Sequence, residues 1–402
     1  MIHKTILADA GCSVVEFDGV RRVFATVAPC RGVTLLEQTE SALQTIQTLF
    51  REEASSGSIV MQSVFLKDIE DQAACRRIVD TFYGQALPAT SYIPQTPCDG
   101  KLLSIEAWGL GGGNDDLQIE HRGEGMAIAR HHGAAWAYLA DVHPKTAAGS
   151  TYDRSLSAFR TAGEQLNSIG WRFDDVIRTW LYLGDITGKE GQTCRYLELN
   201  RARTDFYRNL KFGDGLVPRE RNKTVFPAST GIGAGGNDLA IGCIALRANR
   251  PDVALFPLEN PLQTSAYDYA HQCGTETPKF VRAMAVATGE LVTTFISGTA
   301  SITASESRHD NSVEQQTHQT IENIGALIAS DSFHRHGLRS PGATLDDLAV
   351  ARVYVKRQED CDAVRTVCRA RLGEVPTIYV VGDICRPELL MEIEGVAFSR
   401  RP

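Results

Sequence analysis

Repetition is the feature that most limits how this chain can fold. One order of elements (hairpin, helix, strand, helix, two strands) is spelled three times along its 402 residues. Such units bury their apolar faces against one another. In the first copy, Cys12 to Phe17 and Val20 to Pro29 read as a hairpin turning at Asp18-Gly19. A helix follows over Leu35 to Glu53, with Leu36, Leu43, Ile46 and Phe50 at helical spacing. Then come a strand over Ile59 to Lys67, a helix over Asp71 to Tyr83, and strands over Thr90 to Gln95 and Leu102 to Leu110. The second copy runs from a hairpin at Met126 to Val142 through strands near Val225 to Gly231 and Asp238 to Leu246. The third starts with a hairpin at Arg282 to Ile302 and ends with strands over Thr377 to Val381 and Leu389 to Ala397. The middle strands agree in character: Val64-Phe65-Leu66-Lys67, Leu181-Tyr182-Leu183-Gly184 and Val353-Tyr354-Val355-Lys356.

The joints between copies set expected domains at 1–112, 126–250 and 275–402. Gly109 to Gly125 reads as a flexible glycine-rich linker. Arg247 to Pro278 reads as a longer strap, either plain or functional.

Within the third copy, Leu389 to Ala397 carries the unusual chemistry. Period-two alternation sets Leu390, Glu392 and Glu394 on one face and Met391, Ile393 and Gly395 on the other. Two neighbouring carboxylates on an inward face are costly and raise each other's pKa, which suits a general acid at neutral pH. The alternative is an edge strand with two solvated glutamates.

Hydrophobic content of 43% and charged content of 22% belong to an ordinary globular protein. The net charge of −8 disfavours nucleic acid or a membrane surface as partner while leaving room for a local basic pocket. The N-terminus has no signal-peptide pattern and no long apolar run exists, so a cytoplasmic protein without a membrane span is expected. The ten cysteines are scattered without Cys-x-x-Cys and read as reduced core thiols. His131-His132 and His334-x-His336 lack a third ligand, so neither metal nor cofactor is expected.

Each copy resembles the reactive-intermediate deaminase (RidA, or YjgF) family, a chorismate mutase-like fold, through Ile296-Ser297-Gly298, Asn323-Ile324 and Glu392-Ile393-Glu394. The resemblance implies an α+β protein whose three tandem modules build an intramolecular pseudo-trimer around a central β-barrel, with sites in the clefts. A chain with its trimer inside is expected to be monomeric. The family's deaminase arginine is replaced by Thr90, Ser229 and Thr377, and its closing-strand glutamate by Ser104 and Ala240 in the first two modules. Only Glu392 matches, so the two earlier modules read as scaffold, the first of them degenerate.

The second and third modules resemble the chorismatases, through Asp383-Ile384-Cys385-Arg386-Pro387-Glu388-Leu389-Leu390-Met391-Glu392-Ile393-Glu394-Gly395. Gly298-Thr299-Ala300-Ser301-Ile302, Asn260 to Tyr267, and Tyr196, Asn200 and Arg203 support it. The resemblance implies Glu392 as proton donor, with Cys385 and Gly298 at positions that help choose the product. This chain has Ala304-Ser305 where those enzymes usually carry Gly-His.

A dianionic substrate needs cationic partners, ideally arginine. Arg352, Tyr354 and Lys356 share a face of one middle strand; Arg178, Trp180 and Tyr182 share a face of another. Tyr196, Asn200 and Arg203 lie on one side of a helix. Tyr267 and Gln263 either close over the cleft or simply pack. For each arginine the alternative is a surface ion pair.

The expected function is cofactor-free, acid-catalysed cleavage of the enolpyruvyl ether of chorismate, or of a similar small carboxylated metabolite. The products are pyruvate and a hydroxybenzoate or dihydrodiol, as in secondary metabolism. The rivals are a RidA-like enamine or imine hydrolase and a non-catalytic small-ligand-binding protein.

Overall fold

A computed structural model of the chain describes residues 2–54, 57–112, 116–123, 125–218, 225–269 and 276–401. The architecture is α+β, with three six-stranded mixed sheets. The first comprises β1 (Ile2–Ile6), β2 (Ala10–Phe17), β3 (Val20–Val27), β4 (Ser58–Leu66), β5 (Ala89–Pro94) and β6 (Leu103–Gly111), with α1 (Leu35–Ala54) and α2 (Gln72–Tyr83). The second comprises β7 (Gln118–Gly123), β8 (Met126–His131), β9 (Ala134–Val142), β10 (Val176–Gly184), β13 (Ala228–Ala234) and β14 (Leu239–Ala248). Between its strands run α3 (Thr151–Ser168), a ribbon of β11 (Lys189–Glu190) and β12 (Thr193–Cys194), and α4 (Arg195–Tyr207). The third comprises β15 (Val253–Leu258), β16 (Ala283–Thr288), β17 (Leu291–Ala300), β20 (Leu348–Val355), β21 (Thr377–Val381) and β22 (Met391–Arg400). It carries a ribbon of β18 (Ile302–Thr303) and β19 (Glu306–Ser307), and α5 (Val313–Ile328), α6 (Ser330–Arg335) and α7 (Cys361–Leu372).

The ladder order is the same each time: β1-β2-β3-β6-β4-β5, β7-β8-β9-β14-β10-β13 and β15-β16-β17-β22-β20-β21. The last strand of each set inserts between hairpin and middle strand, antiparallel to both. The middle and penultimate strands are parallel, which demands a crossover, and α2, α4 and α7 lie on those connections. Local chemistry sets the hairpins. Asp18-Gly19 and His132-Gly133 both take positive φ at two successive residues, the twist-matching turn for a two-residue loop.

The leading strands β1, β7 and β15 depart from the sequence reading. β7 lies inside the expected linker Gly109 to Gly125, and β15 inside the expected strap Arg247 to Pro278. Residues 113–115, 124 and 270–275 of those stretches lie outside the described residues. β7 reads Gln-Ile-Glu-His-Arg-Gly, and no residue of it is fully buried, so it shows no apolar alternation. The expected helix Val313 to Ser330 is broken by the extended backbone of Ala329 into α5 and α6.

Each sheet presents two faces. The outer face of the first packs Val23, Val64, Leu103 and Ile105 against Leu43, Ile46 and Phe50 of α1, and the other two repeat the pattern. The inner faces share one core, with Trp108 5.9 Å from Trp180 and 6.5 Å from Phe295 between ring centroids. The strands do not close into the expected barrel; three separate ladders remain. Single loops bridge them instead. The Gly235 N–H donates to Pro94 O, the Gly233 N–H to Asp383 O (both 2.7 Å), and the Cys98 N–H to Tyr379 O (3.0 Å).

The reading of every cysteine as a reduced thiol is corrected by a Cys98–Cys361 disulfide between the segment after β5 and the start of α7. The half-cystines are far apart in sequence, and only the packing of the first sheet on the third brings them together. Among the described residues no helix is long and apolar enough to cross a membrane, and no three His, Cys, Asp or Glu side chains cluster to hold a metal.

Candidate active site

A cavity of about 300 Å³ opens between the second and third sheets. Its floor is β22. Met391 and Ile393 turn outward to the helices, so Glu392 and Glu394 turn inward; Leu390, just ahead of the strand, packs with the outer set. The two glutamates meet opposite environments. Glu394 sits in a cage of donors: Arg178, Thr230 Oγ1, Trp180 Nε1 at 2.9 Å, Tyr354 Oη at 2.9 Å and Arg352 at 3.3 Å. Glu392 is 4% exposed, lines the cavity and receives no hydrogen bond from the described residues. Burial first, and the neighbouring Glu394 second, push its carboxyl up to about 8 against the pull of Arg178 and Arg282. One carboxyl is thus held by a ring of donors while the other faces the cavity with its proton tightly bound.

Gly298 makes room for that acid. The β17–β22 register shifts between Ile296 and Thr299, a bulge that takes Gly298 out of the ladder. A Cβ on Gly298 would lie 1.9 Å from Glu392 Oε1. Its N–H donates to Thr230 Oγ1 at 2.9 Å.

One wall is α4, whose Tyr196, Asn200 and Arg203 line the cavity. Arg203 is 2% exposed, donates to Asn200 Oδ1 and leaves Nε without a partner. The facing wall carries Arg282, which donates to Thr264 O at 2.9 Å and to Tyr269 Oη, with Nε again unpartnered. Phe280 lies between them, its ring centroid 5.7 Å from Arg203 Cζ and 5.5 Å from Arg282 Cζ. Neither arginine has a carboxylate within ion-pair distance among the described residues, so both retain their charge for an anionic guest. Cys385 lies half-buried on the loop before β22. Burial pushes its thiol up to about 12, so it is protonated and no nucleophile at neutral pH.

Of the residues singled out from sequence, Glu392, Cys385, Arg203, Asn200, Tyr196 and Gly298 share this cavity. The others lie elsewhere. Arg352 grips Glu106 at 2.7 and 2.9 Å and donates to Tyr182 Oη at 2.8 Å, deep among the three sheets. Arg178 is spent on Glu394 and Thr230. Lys356 donates to Pro387 O at 2.7 Å and pairs with Asp383, bracing the Cys385 loop from outside the cavity. Tyr267 packs on Phe226, and Gln263 Nε2 donates to Ile302 O at 3.0 Å. Strand parity identifies the inner face of β10 and β20, but the inner face of a central strand looks into the shared core and not into the cleft.

Arg282, Tyr269 and Phe280 escaped the sequence reading, and Ser229 entered it only as the replacement of the family's deaminase arginine. Arg282 had a legible signal: it shares parity with Met284 and Val286, a charge leading an inward apolar face.

The repeat explains why this cleft is open. Gly231 pairs with Leu181 where Tyr92 pairs with Val64 and Tyr379 with Val353. In the other two sheets that tyrosine is covered by an arginine, Arg76 at 4.4 Å and Arg365 at 5.3 Å. Ser104 and Ala240 stand at the ladder position of Glu392, and Asp141, bound to Arg76 and His143, lies beside Tyr92.

No protein-family model matches the chain. It is 32% identical over 289 residues to a 3-hydroxybenzoate synthase of Streptomyces hygroscopicus, covering 70% of this chain and 79% of that protein. It is 33% identical over 279 residues to a chorismatase of Streptomyces rapamycinicus, covering 66% and 77%. A solved chorismatase structure superposes with a TM-score of 0.64 at 22% identity, over 85% of this chain and 93% of that one, and so shares its fold. By that identity and coverage, the chain belongs to the chorismatase family.

Proposed function

We propose that the protein cleaves the enolpyruvyl ether of chorismate, or of a closely similar carboxylated cyclic enol ether, by general-acid catalysis. One observation carries this reading: a buried carboxyl, given no hydrogen bond by the described residues and pushed up to about 8, faces a cavity flanked by two buried arginines that form no ion pair with those residues. Arg203 and Arg282 hold the substrate carboxylates. The Glu392 O–H delivers its proton to the methylene carbon of the enolpyruvyl group, and positive charge develops on the ether carbon. Water adding there gives a hemiketal that collapses to pyruvate and a dihydrodiol. Breaking the ring C–O bond instead, with its electrons completing the pyruvate carbonyl and a ring proton passing back to the Glu392 carboxylate, gives pyruvate and a hydroxybenzoate with no net uptake of water. Cys385 and Gly298, against the acid, bear on that choice, and Tyr196 lines the wall.

The modules 1–112, 126–250 and 275–402 act as an internal pseudo-trimer, monomeric as a chain, with the first as scaffold. The shared aromatic core, the repeated ladder order and the loops passing from sheet to sheet support this.

Pyruvate release on mixing the protein with chorismate tests the proposal, with oxygen-18 water reporting the route. Turnover lost in Glu392→Gln is expected. Absence of pyruvate from the wild type overturns it, and ammonia released from an imino acid would support the deaminase-like alternative.

A further inference from the structure

The first sheet sends one carboxylate into the interior. Glu106, on β6, is 1% exposed and takes two hydrogen bonds from Arg352, at 2.7 and 2.9 Å. Trp108 Nε1 donates to it at 2.6 Å. Arg352 belongs to the third sheet and also stands 3.3 Å from Glu394. Arg178, from the second sheet, pairs with Glu394 from the other side. All four side chains are at most 4% exposed, so little solvent screens them. The formal charges cancel: two guanidiniums against two carboxylates, drawn from three sheets. Glu392 lies two residues from Glu394 on the same face and feels the balance.

We propose that Glu106 is a positioning residue for the acid: by sharing the Arg352 guanidinium with Glu394 it holds the interior neutral beside Glu392. This rests on the reading of Glu392 as the acid. The groups facing Glu392 are Glu394 on its own strand, Tyr354 opposite it on β20, Arg178 from β10, Arg282 ahead of β16, Tyr196 and Arg203 on α4, and Cys385 on the preceding loop; Cys194, Tyr269, Glu276, Arg386 and Glu388 line the same cavity. Tyr354, Tyr196 and Cys385 are held protonated by burial. On the buried side of the acid the charge balance is therefore set by Arg178 and Arg352 and by the two carboxylates that answer them.

Removing Glu106 leaves one uncancelled positive charge. That favours the ionised acid, so the alkaline limb of kcat moves to lower pH, by about one unit. At pH 8 the protonated fraction of Glu392 then falls about fivefold. Glu106→Gln keeps the shape and the contact with Trp108 while removing the charge. The double variant Glu106→Gln with Arg352→Gln restores neutrality, so its limb returns to the wild-type position or lies above it. A merely structural role lowers activity in both variants without moving the limb down and back.

The experiment is the pH profile of pyruvate release for the wild type and both variants. Alongside it, the carboxyl C=O stretch of Glu392 is read by infrared difference against Glu392→Gln. A downward limb in the single variant that reverses in the double supports the proposal. A limb that stays put in the single variant overturns it. If Glu106→Gln does not fold, the double variant carries the test, and a limb below wild type overturns the proposal. If the wild type releases no pyruvate, the functional reading falls, and the infrared titration of Glu392 in the same proteins decides this inference alone.

Discussion

Gly298→Ala tests the site with one methyl group. Gly298 does not take a positive φ, so the backbone accepts alanine. The new Cβ would meet Glu392 Oε1 at 1.9 Å, Glu392 Cδ at 2.8 Å and Thr230 Cγ2 at 3.1 Å. The first two belong to the free end of a flexible side chain, so the carboxyl retreats while the fold holds. Reaching ordinary contact requires a displacement of about 1.5 Å, and a misplacement of about 1 Å in a catalytic group costs about 100-fold. That corresponds to about 2.7 kcal/mol of transition-state stabilisation. Because Arg203 and Arg282 are untouched, the loss falls on kcat while KM changes by less than about threefold. Steady-state pyruvate release measures both constants, and thermal unfolding checks that stability is kept. Wild-type kcat in a stably folded Gly298→Ala would refute the placement of the acid against this glycine.

The remaining predictions concern titration, the disulfide and the closed clefts. Because Glu392 binds its proton more tightly folded than unfolded, its contribution to stability is full below the ordinary carboxylate range and lost as pH rises through about 8. Glu392→Gln should therefore gain melting temperature relative to wild type at pH 9 but not at pH 5; equal differences at both would contradict it. The Cys98–Cys361 bridge spans a sequence separation of 263, for which the chain-entropy picture sets a ceiling of about 5.6 kcal/mol on its stabilisation. Denaturant midpoints with and without reductant, compared with Cys98→Ser, should show a fall that the variant reproduces. Gly231→Tyr should rebuild the arrangement of the two closed sheets, abolishing turnover and substrate binding with melting temperature kept or raised. A variant that still binds substrate at wild-type affinity would show that this glycine does not open the cleft.

The repeat was legible because buried strands and amphipathic helices write their period into the chain, as at Leu43, Ile46 and Phe50. Polar edge strands such as β7 write none, since neither face is fully buried. Glu392, Gly298 and Arg203 were legible from parity, helical spacing and a long motif. Arg178 and Arg352 show the limit. Their residue type and parity suited a ligand, but what met them, Glu394 and Glu106, was fixed by how sheets remote in sequence pack. The Cys98–Cys361 pairing had the same origin, since nothing local to either cysteine names the other.

The loops that pass between sheets have a further consequence. The outer parallel strands β5, β13 and β21 each receive a hydrogen bond from, or give one to, a loop of another sheet. A row of unpaired peptide groups invites a foreign strand. At one end of every ladder that invitation is already answered from within the chain. At the other end stand Lys4 on β1, Glu120, His121 and Arg122 on β7, and Pro257 on β15, residues that make poor templates for strand-on-strand growth. The arrangement that brings a cleft together also guards both ends of three ladders that total eighteen strands.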